Sequence, residues 1–237
     1  MITVMAVPGS MVVGEMVTVS ESEEHHLAVR RAQPAIEVRV VDGAGAIGWG
    51  RLGLKGRFAA VTVERIEHVA APAPLILAVG AGDRDRFIGL IEKVVELGVT
   101  RIVPIETAHS RSVANRLRDT HAEKLERRAH EALKQSGNPW LPRIVPLVSL
   151  ESFLAGDLPD HRWLADQGGG VPGPVGRQES IAVVVGPEGG FTPAERLALT
   201  REGFEPVGLG PYLLRFDTAA VAALTLAIHL RQRDSHD

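Results

Sequence analysis

The chain has 237 residues, of which 45% are hydrophobic and 25 are glycine, and its formal net charge is −3. This length accommodates one large or two modest domains, and the composition is typical of a globular α/β protein rather than a disordered one. The sequence contains no cysteine, which excludes disulfides, thiolate catalysis and cysteine-ligated metal centres.

Membrane insertion and metal binding are also unsupported by the sequence. No apolar run approaches the roughly 20 residues of a membrane span, and the N-terminus lacks the layout of a signal peptide. The nine histidines form no recognised metal-ligand motif, since His25 and His26 are adjacent and His121 and His130 are nine residues apart. We therefore expect a soluble, cytoplasmic protein without a metal.

The first seventy residues have the pattern of a small all-β module. Short strand-like stretches are separated by glycine and Asp-Gly turns; they span residues 11–20, 36–41, 46–52 and 58–66. Residues 43–48 match the three-glycine spacing of a dinucleotide-binding loop. A strand follows instead of the required helix, so this pattern indicates a hairpin turn.

A proline-containing linker at residues 67–74 separates this module from an alternating α/β region. Six strand candidates follow, at residues 75–79, 101–105, 144–148, 162–165, 181–185 and 206–209. Helical patterns separate them, which predicts a parallel sheet. The sequence thus predicts one domain over residues 1–70 and a second over residues 74–237.

Helices are predicted by apolar stripes after the first of these strands, over residues 119–136, and over residues 218–233. Gly98 lies where the C-terminal cap of the first of these helices belongs. The last helix is apolar around much of its circumference, which predicts burial in its own core or against a second subunit. Residues 168–176, rich in glycine and proline, are expected to form a mobile loop.

Positive charge is concentrated in two segments. Residues 30–65 carry seven arginine or lysine residues against Glu37, Asp42 and Glu64, and a second basic segment spans residues 101–143. Two interpretations stay open, namely ordinary solvated surfaces and surfaces that contact phosphates.

The segment Val183–Glu195 carries the most specific local signal. An apolar strand leads into Gly186-Pro187-Glu188-Gly189-Gly190, and a helix then starts, with Thr192 as cap and Glu195 completing a capping box. A glycine loop of this kind brings backbone close to a small ligand. A phosphate is disfavoured because no lysine follows the loop and Glu188 would repel an anion.

A second loop of similar design follows about twenty residues later. Leu209-Gly210-Pro211 leads through Leu213-Leu214-Arg215 to an alanine-rich helix. Two such loops at neighbouring strand ends predict a binding cleft.

These motifs together resemble the ribosomal RNA small-subunit methyltransferase E family of the SPOUT superfamily. The resemblance rests on Gly186–Gly190 followed by residues 209–219, and it extends over residues 75–230. Upstream matches include residues 82–84, 91–99, 102–104 and 131–137, whereas the N-terminal seventy residues match more loosely.

The resemblance implies a fold and a reaction. The fold is α/β: a C-terminal SPOUT-type, trefoil-knotted parallel-sheet domain preceded by a small PUA-like β-barrel that binds RNA. The reaction is S-adenosylmethionine-dependent methylation of N3 of a uridine in small-subunit (16S) ribosomal RNA. The implied partners are that RNA within the 30S subunit and a second copy of the chain, whose homodimer shares active-site residues across the interface.

The resemblance also implies roles for individual residues. Arg215 would orient the uracil, Asp217 would be a base, Thr218 a positioning hydroxyl, and Glu188 would lie near the cofactor. For Asp217 or Thr218, capping of the last helix is an equal alternative. The implied cofactor-binding residues are Leu164, Gly186, Pro187, Gly189, Gly190, Leu209, Gly210, Leu213 and Leu214. The implied RNA-binding residues are Arg30, Arg31, Arg84 and Arg111.

Three positions depart from the family pattern. Phe216 and Asp217 stand where Thr and Glu are usual, and Asn138 replaces a usual arginine. Two alternatives therefore stay open: a methyltransferase acting on another RNA such as transfer RNA, and a noncatalytic RNA-binding or ribosome-assembly protein. Binding of S-adenosylmethionine separates the second alternative from the methyltransferases.

Overall fold

The structure is a computed structural model that describes residues 1–20, 23, 24, 27, 35–80, 82–110 and 122–233. It divides into two compact units. The first contains Met1–Ala71 and His130–Leu141, and the second contains Pro72–Ala129 and Pro142–Asp237. The chain thus passes between the units within the proline segment and again around residues 130 and 141.

The first unit is built on a mainly antiparallel five-stranded sheet. Its strands are β1 (Ile2–Met5), β2 (Met16–Thr18), β3 (Glu37–Val41), β4 (Ala46–Lys55) and β5 (Phe58–His68), in the order β1-β3-β4-β5-β2. β1, which the sequence pattern did not predict, pairs parallel to β3. Within the described residues β1 and β2 are the edges of an open sheet, so the closed barrel is not observed here.

The turn between β3 and β4 is the hairpin expected at residues 43–48, since the two strands pair antiparallel. Oδ1 of Asp42 accepts hydrogen bonds from the backbone N–H of Ala44 at 2.8 Å and of Ala46 at 2.9 Å. Gly45 has a φ of 98°, and a Cβ there would lie 2.4 Å from the Trp140 ring. Glycine is required at this position for both reasons.

The second unit contains an all-parallel seven-stranded sheet. Its strands are β6 (Leu75–Gly80), β7 (Arg101–Glu106), β8 (Arg143–Ile144), β9 (Val148–Ser149), β10 (His161–Gly170), β11 (Ile181–Val185) and β12 (Glu205–Val207). The order is β12-β10-β11-β6-β7-β8, and β9 also pairs with β7. The predicted parallel α/β sheet is therefore confirmed.

Three strand predictions in this sheet differ in extent from the structure; the strand predicted at residues 206–209 is β12, at Glu205–Val207. The strand predicted at residues 144–148 is replaced by the two short strands β8 and β9, because Pro146 lies between them and has no N–H to donate. β10 continues to Gly170, into the segment expected to be an irregular loop. Its extension depends on close backbone approach, since a Cβ on Gly169 would lie 2.5 Å from the Val207 nitrogen.

Five helices accompany the strands in the described residues: α1 (Arg84–Glu96), α2 (Ala122–Ser136), α3 (Leu150–Leu154), α4 (Pro193–Arg201) and α5 (Phe216–Arg233). α1 follows its prediction: Asp83 caps it by accepting from Arg86 N–H at 3.0 Å, and Gly98 has a φ of 75° beyond its end. Residues 119–121, predicted to begin α2, lie outside the described residues. None of the described helices is both long and apolar enough to cross a membrane.

α5 packs on α1 and on the sheet, and Arg231 fixes its far end. The guanidinium donates to the carbonyls of Ala73 at 3.2 Å, Pro74 at 2.9 Å and Glu179 at 2.8 Å. Desolvation lowers the pKa of Arg231 from its ordinary value. These contacts join the last helix to the segments that precede β6 and β11.

The buried turn at Asp42 generates a stability prediction. Asp42→Ala is expected to lower the free energy of unfolding by about 1–3 kcal/mol, because two backbone N–H groups lose their acceptor in a buried turn. Urea denaturation measures the change, with the exposed Asp157→Ala as matched control. Equal midpoints for the two variants would contradict the role of this turn.

Candidate active site at the carboxyl edge of the parallel sheet

The glycine loop after β11 lies against the end of β6. Val185 and Val79 are paired across the two strands, and Gly80 follows Val79 directly. A Cβ on Gly80 would lie 2.4 Å from Cδ of Pro187, so the two loops touch through a position that only glycine fits. Gly190 has a φ of 67° and donates its N–H to the Pro187 carbonyl at 2.8 Å, which closes the turn.

Glu195 connects this loop to the segment after β7. The predicted capping box is present: Thr192 Oγ1 accepts from Glu195 N–H at 3.2 Å, and Glu195 Oε2 accepts from Thr192 N–H at 2.8 Å. The other carboxylate oxygen accepts from Ala108 N–H at 2.7 Å. Burial opposes ionisation of Glu195, but the hydrogen bonds from Ala108 and Thr192 outweigh it and lower the pKa of Glu195.

His109 makes a second link between the same two segments. Its Nδ1 lies 3.1 Å from the Gly190 carbonyl, so this nitrogen carries the proton and donates it. A Cβ on Gly189 would lie 2.8 Å from Cβ of His109, which leaves no room for a side chain there. Glycine is thus required at position 189 by the neighbouring segment and favoured at position 190 by its positive φ.

Glu188 holds the start of α1. Its Oε1 accepts from Asp83 N–H at 3.1 Å and lies 3.9 Å from Nη1 of Arg86. Its other oxygen faces Gly82, where a Cβ would lie 2.6 Å away. The carboxylate predicted to lie near the cofactor therefore bonds the loop after β6.

A cleft lies between residues 165–167 of β10 and the loop that follows β12. Its empty volume is about 340 Å³, including the part open to solvent. The residues that line it are Ala165, Asp166, Gln167, Leu209, Gly210, Tyr212, Leu213, Leu214 and Ala219. None of these nine lining residues, all in the described part of the chain, is a lysine or arginine, so the cleft offers no cationic side chain to a phosphate.

Polar groups of the cleft are held by neighbouring segments. Asp166 is ion-paired with Arg196 and accepts from Gly168 N–H at 3.1 Å through its other oxygen. Gln167 Nε2 donates to the Pro211 carbonyl at 3.3 Å, which joins the two lining loops. Leu213 is 83% exposed, so an apolar side chain stands open to solvent at the cleft.

The first turn of α5 presents the other predicted reactive residues. Arg215 and Thr218 are exposed, and Arg215 has no ion-pair partner among the described residues. Asp217 is only 18% exposed; its Oδ2 lies 3.5 Å from Nζ of Lys93, and its Oδ1 is buried without a hydrogen-bond partner. Since α5 begins at Phe216, Asp217 and Thr218 lie inside the helix rather than at its cap.

Phe216 replaces the usual threonine without reaching the cleft lining. Its side chain is 3% exposed and its ring lies beside Gly82, where a Cβ would be 2.9 Å from Cε1. The aromatic ring therefore fills the space between the start of α5 and the loop after β6. This departure from the family pattern is accommodated by packing.

The structure brings together some of the predicted site residues and separates others. Leu209, Gly210, Leu213 and Leu214 line the cleft. Leu164 lies in the core at 2% exposure, and the glycine loop lies outside the cleft lining. Arg84 is exposed at the start of α1, whereas Arg30, Arg31 and Arg111 lie outside the described residues.

The resemblance placed the cofactor beside the segment after Trp163-Leu164, but sequence reasoning did not single out Ala165, Asp166 and Gln167 there, nor Tyr212 and Ala219. The position of Ala165, Asp166 and Gln167 at a parallel strand's carboxyl end was an available signal. It also missed the links made by Ala108 and His109, for which the sequence gives no signal.

Comparison with known proteins identifies the class of protein. The RNA methyltransferase domain model matches residues 70–228. Ribosomal RNA small subunit methyltransferase E from Aquifex aeolicus is 30% identical over 220 residues, covering 91% of this chain and 95% of that protein. The Synechocystis protein of the same name is 28% identical over 232 residues, covering 93% of this chain and 75% of its own length.

A solved structure agrees over nearly the whole chain. Ribosomal RNA small subunit methyltransferase E from Neisseria gonorrhoeae, crystallised with S-adenosyl methionine, superposes with a TM-score of 0.85 at 26% identity, covering 97% of this chain and 98% of that one. The chain belongs to the ribosomal RNA small subunit methyltransferase E family.

The Glu195 links predict an acid-dependent loss of stability. The folded-state pKa of Glu195 is lowered from 4.5, so its contribution is present above about pH 4.5 and is lost as the pH falls through the folded pKa. Glu195→Gln should therefore show a smaller loss of unfolding free energy than the wild type between about pH 6 and about pH 3. Urea denaturation across this range measures it, with exposed Glu205→Gln as control; parallel curves for wild type and Glu195→Gln would exclude the effect.

Proposed function

We propose that the chain transfers a methyl group from S-adenosylmethionine to N3 of a specific uridine in small-subunit (16S) ribosomal RNA. The observation that carries the proposal is the cleft between residues 165–167 of β10 and the loop at residues 209–214, which follows the neighbouring parallel strand β12. The family and the Neisseria structure, crystallised with S-adenosyl methionine, support the choice of cofactor.

The cleft residues fit an adenosyl sulfonium better than a phosphorylated cofactor. Leu209, Leu213 and Leu214 offer apolar contact to a planar base, and backbone at Gly210 is accessible for hydrogen bonds. Asp166 is ion-paired with Arg196, and the lack of a cationic side chain among the lining residues suits a positively charged ligand. When bound, S-adenosylmethionine supplies a methyl group on a positively charged sulfur.

In this proposal the glycine loop contributes backbone surface, rather than charged side chains, to the cofactor site. Gly186, Pro187, Gly189 and Gly190 present backbone at the edge of the sheet, held by the neighbouring loops. Leu164 supports Ala165 from within the core. Glu188 acts through the Asp83 and Arg86 contacts, which position the start of α1.

The target nitrogen of uracil carries a proton and takes part in base pairing, so the base must be exposed and its proton removed. Arg215, exposed and without an ion-pair partner among the described residues, would orient the uracil and stabilise the negative charge that develops on it. Asp217 would accept the proton, with Lys93 lying 3.5 Å from its Oδ2. The hydroxyl of Thr218 would help to position the uracil.

Further parts of the proposal concern the fold and the partners. The C-terminal unit is proposed to be trefoil-knotted and to work as a homodimer, and the N-terminal sheet is proposed to be PUA-like. The substrate would be ribosomal RNA in the 30S subunit, and the residues that bind it would be Arg30, Arg31, Arg84 and Arg111. Such a substrate implies a cytoplasmic location.

Filling the cleft should weaken cofactor binding. Ala165→Leu adds three heavy atoms at the wall of the cleft, and we expect S-adenosylhomocysteine to bind at least about 10-fold more weakly. Calorimetric titration measures the dissociation constant. Ala194→Leu, on the exposed surface of α4, is the matched control; unchanged binding by Ala165→Leu would place the cofactor elsewhere.

The reaction itself is tested by transfer of labelled methyl from S-adenosylmethionine to small-subunit RNA that lacks the modification. Label should appear as N3-methyluridine, and Arg215→Ala should lower kcat about 100-fold while S-adenosylhomocysteine binding is retained. The exposed Arg201→Ala is the control for loss of surface charge. Label on transfer RNA alone would instead support a methyltransferase acting on that RNA. RNA binding without the cofactor and without label would support a noncatalytic RNA-binding protein.

A further inference from the structure

The hairpin of β4 and β5 exposes one face on which basic and aromatic residues alternate. Trp49 is paired with Arg65 across the hairpin, and Lys55 with Phe58 near its tip. Because side chains alternate between the two faces of a strand, Trp49, Arg51 and Lys55 lie on the same side of β4. We use the name hairpin face for the side of the hairpin that carries these three residues and their neighbours Phe58 and Arg65 on β5, with Arg57 at the tip.

The hairpin face carries two arginine–aromatic pairs. The Arg65 guanidinium carbon lies 3.5 Å from the centre of the Trp49 ring, and that of Arg57 lies 5.0 Å from the centre of the Phe58 ring. The two pairs are separated by six residues along β4, which corresponds to about 20 Å. Each pair is within the range of a cation–π interaction, which holds the guanidinium plane against the ring.

Both pairs are open to solvent. The Arg65 side chain is 60% exposed, so the side of its guanidinium that faces away from Trp49 remains accessible. Phe58 is 48% exposed, which is unusual for a phenylalanine in a folded unit. A planar ligand can therefore stack on either pair without displacing a side chain.

The hairpin face carries both ion-paired and unpaired cations among the described residues. Arg65 lies 3.6 Å from Glu67, and Arg51 bonds Glu64 at 3.0 Å, so these two arginines are held in place. Lys55 and Arg57 have no carboxylate partner among the described residues. The tip therefore presents two cations that are available to an external anion.

We infer that the hairpin face binds single-stranded RNA by stacking bases on the two arginine–aromatic pairs, with Lys55 contacting a phosphate. This inference rests on the proposed function for its choice of RNA. Aromatic rings and guanidinium planes are the groups on which unpaired bases stack, and interleaved cations follow the backbone. A duplex keeps its bases stacked inside the helix, so it cannot use these platforms.

The test separates stacking from charge. Binding of the full chain to a fluorescein-labelled single-stranded RNA of about 12 nucleotides is measured by anisotropy at several salt concentrations. Arg65→Lys keeps the charge but loses the planar guanidinium, and we expect its dissociation constant to rise at least about 5-fold with an unchanged salt slope. Lys55→Ala should instead lower the salt slope by about one.

Phe58→Ala should weaken RNA binding at least about 5-fold, and in methyl transfer it should raise KM while leaving kcat unchanged. Arg201→Lys in the other unit is the matched control. The inference is overturned if both Arg65→Lys and Phe58→Ala bind the RNA with wild-type affinity. It is also overturned if Phe58→Ala changes the sedimentation coefficient of the protein but leaves its RNA binding unaltered. The RNA-binding results are independent of the proposed reaction, whose failure would appear as absence of methyl transfer by the wild type.

Discussion

The arrangement of the loops at the carboxyl edge of the parallel sheet depends on Glu195, whose carboxylate accepts hydrogen bonds from two segments that follow different strands. One oxygen accepts from the backbone after β7, and the other completes the cap of the helix that follows the glycine loop. Parallel strands deliver their loops to one edge, but such loops need cross-links to keep a defined shape. Glu195, together with Glu188 and His109, provides these cross-links, so the glycine loop is held by contacts on both sides.

The chemistry of the cleft follows from where its charges lie. One carboxylate, that of Asp166, and three leucines occur among its lining residues. Of the nearby arginines, Arg196 is ion-paired with Asp166, and Arg215 lies next to the start of α5. This separation suits a cationic cofactor on one side and an RNA base that becomes negatively charged on the other. A site for a nucleoside triphosphate would instead need cations or free N–H groups directed into the cleft.

Much of this arrangement could be predicted from the sequence because it depends on local signals. The capping box at Thr192 and Glu195, the hairpin at Asp42 and the alternation of strands and helices each follow from neighbouring residues. The β1 pairing with β3, the continuation of β10 through Gly170 and the Ala108 and His109 links depend on partners distant in the chain. No local pattern specifies such partners, and the roles of Arg215 and Asp217 came from family resemblance rather than from spacing.

The most direct test of the cleft assignment compares two ligands that share an adenosine. Calorimetric titration of the wild-type chain with S-adenosylmethionine and with ATP discriminates a sulfonium site from a phosphate site. We predict saturable binding of S-adenosylmethionine, abolished by competition with S-adenosylhomocysteine, and no comparable binding of ATP. Binding of ATP without binding of S-adenosylmethionine would contradict the account.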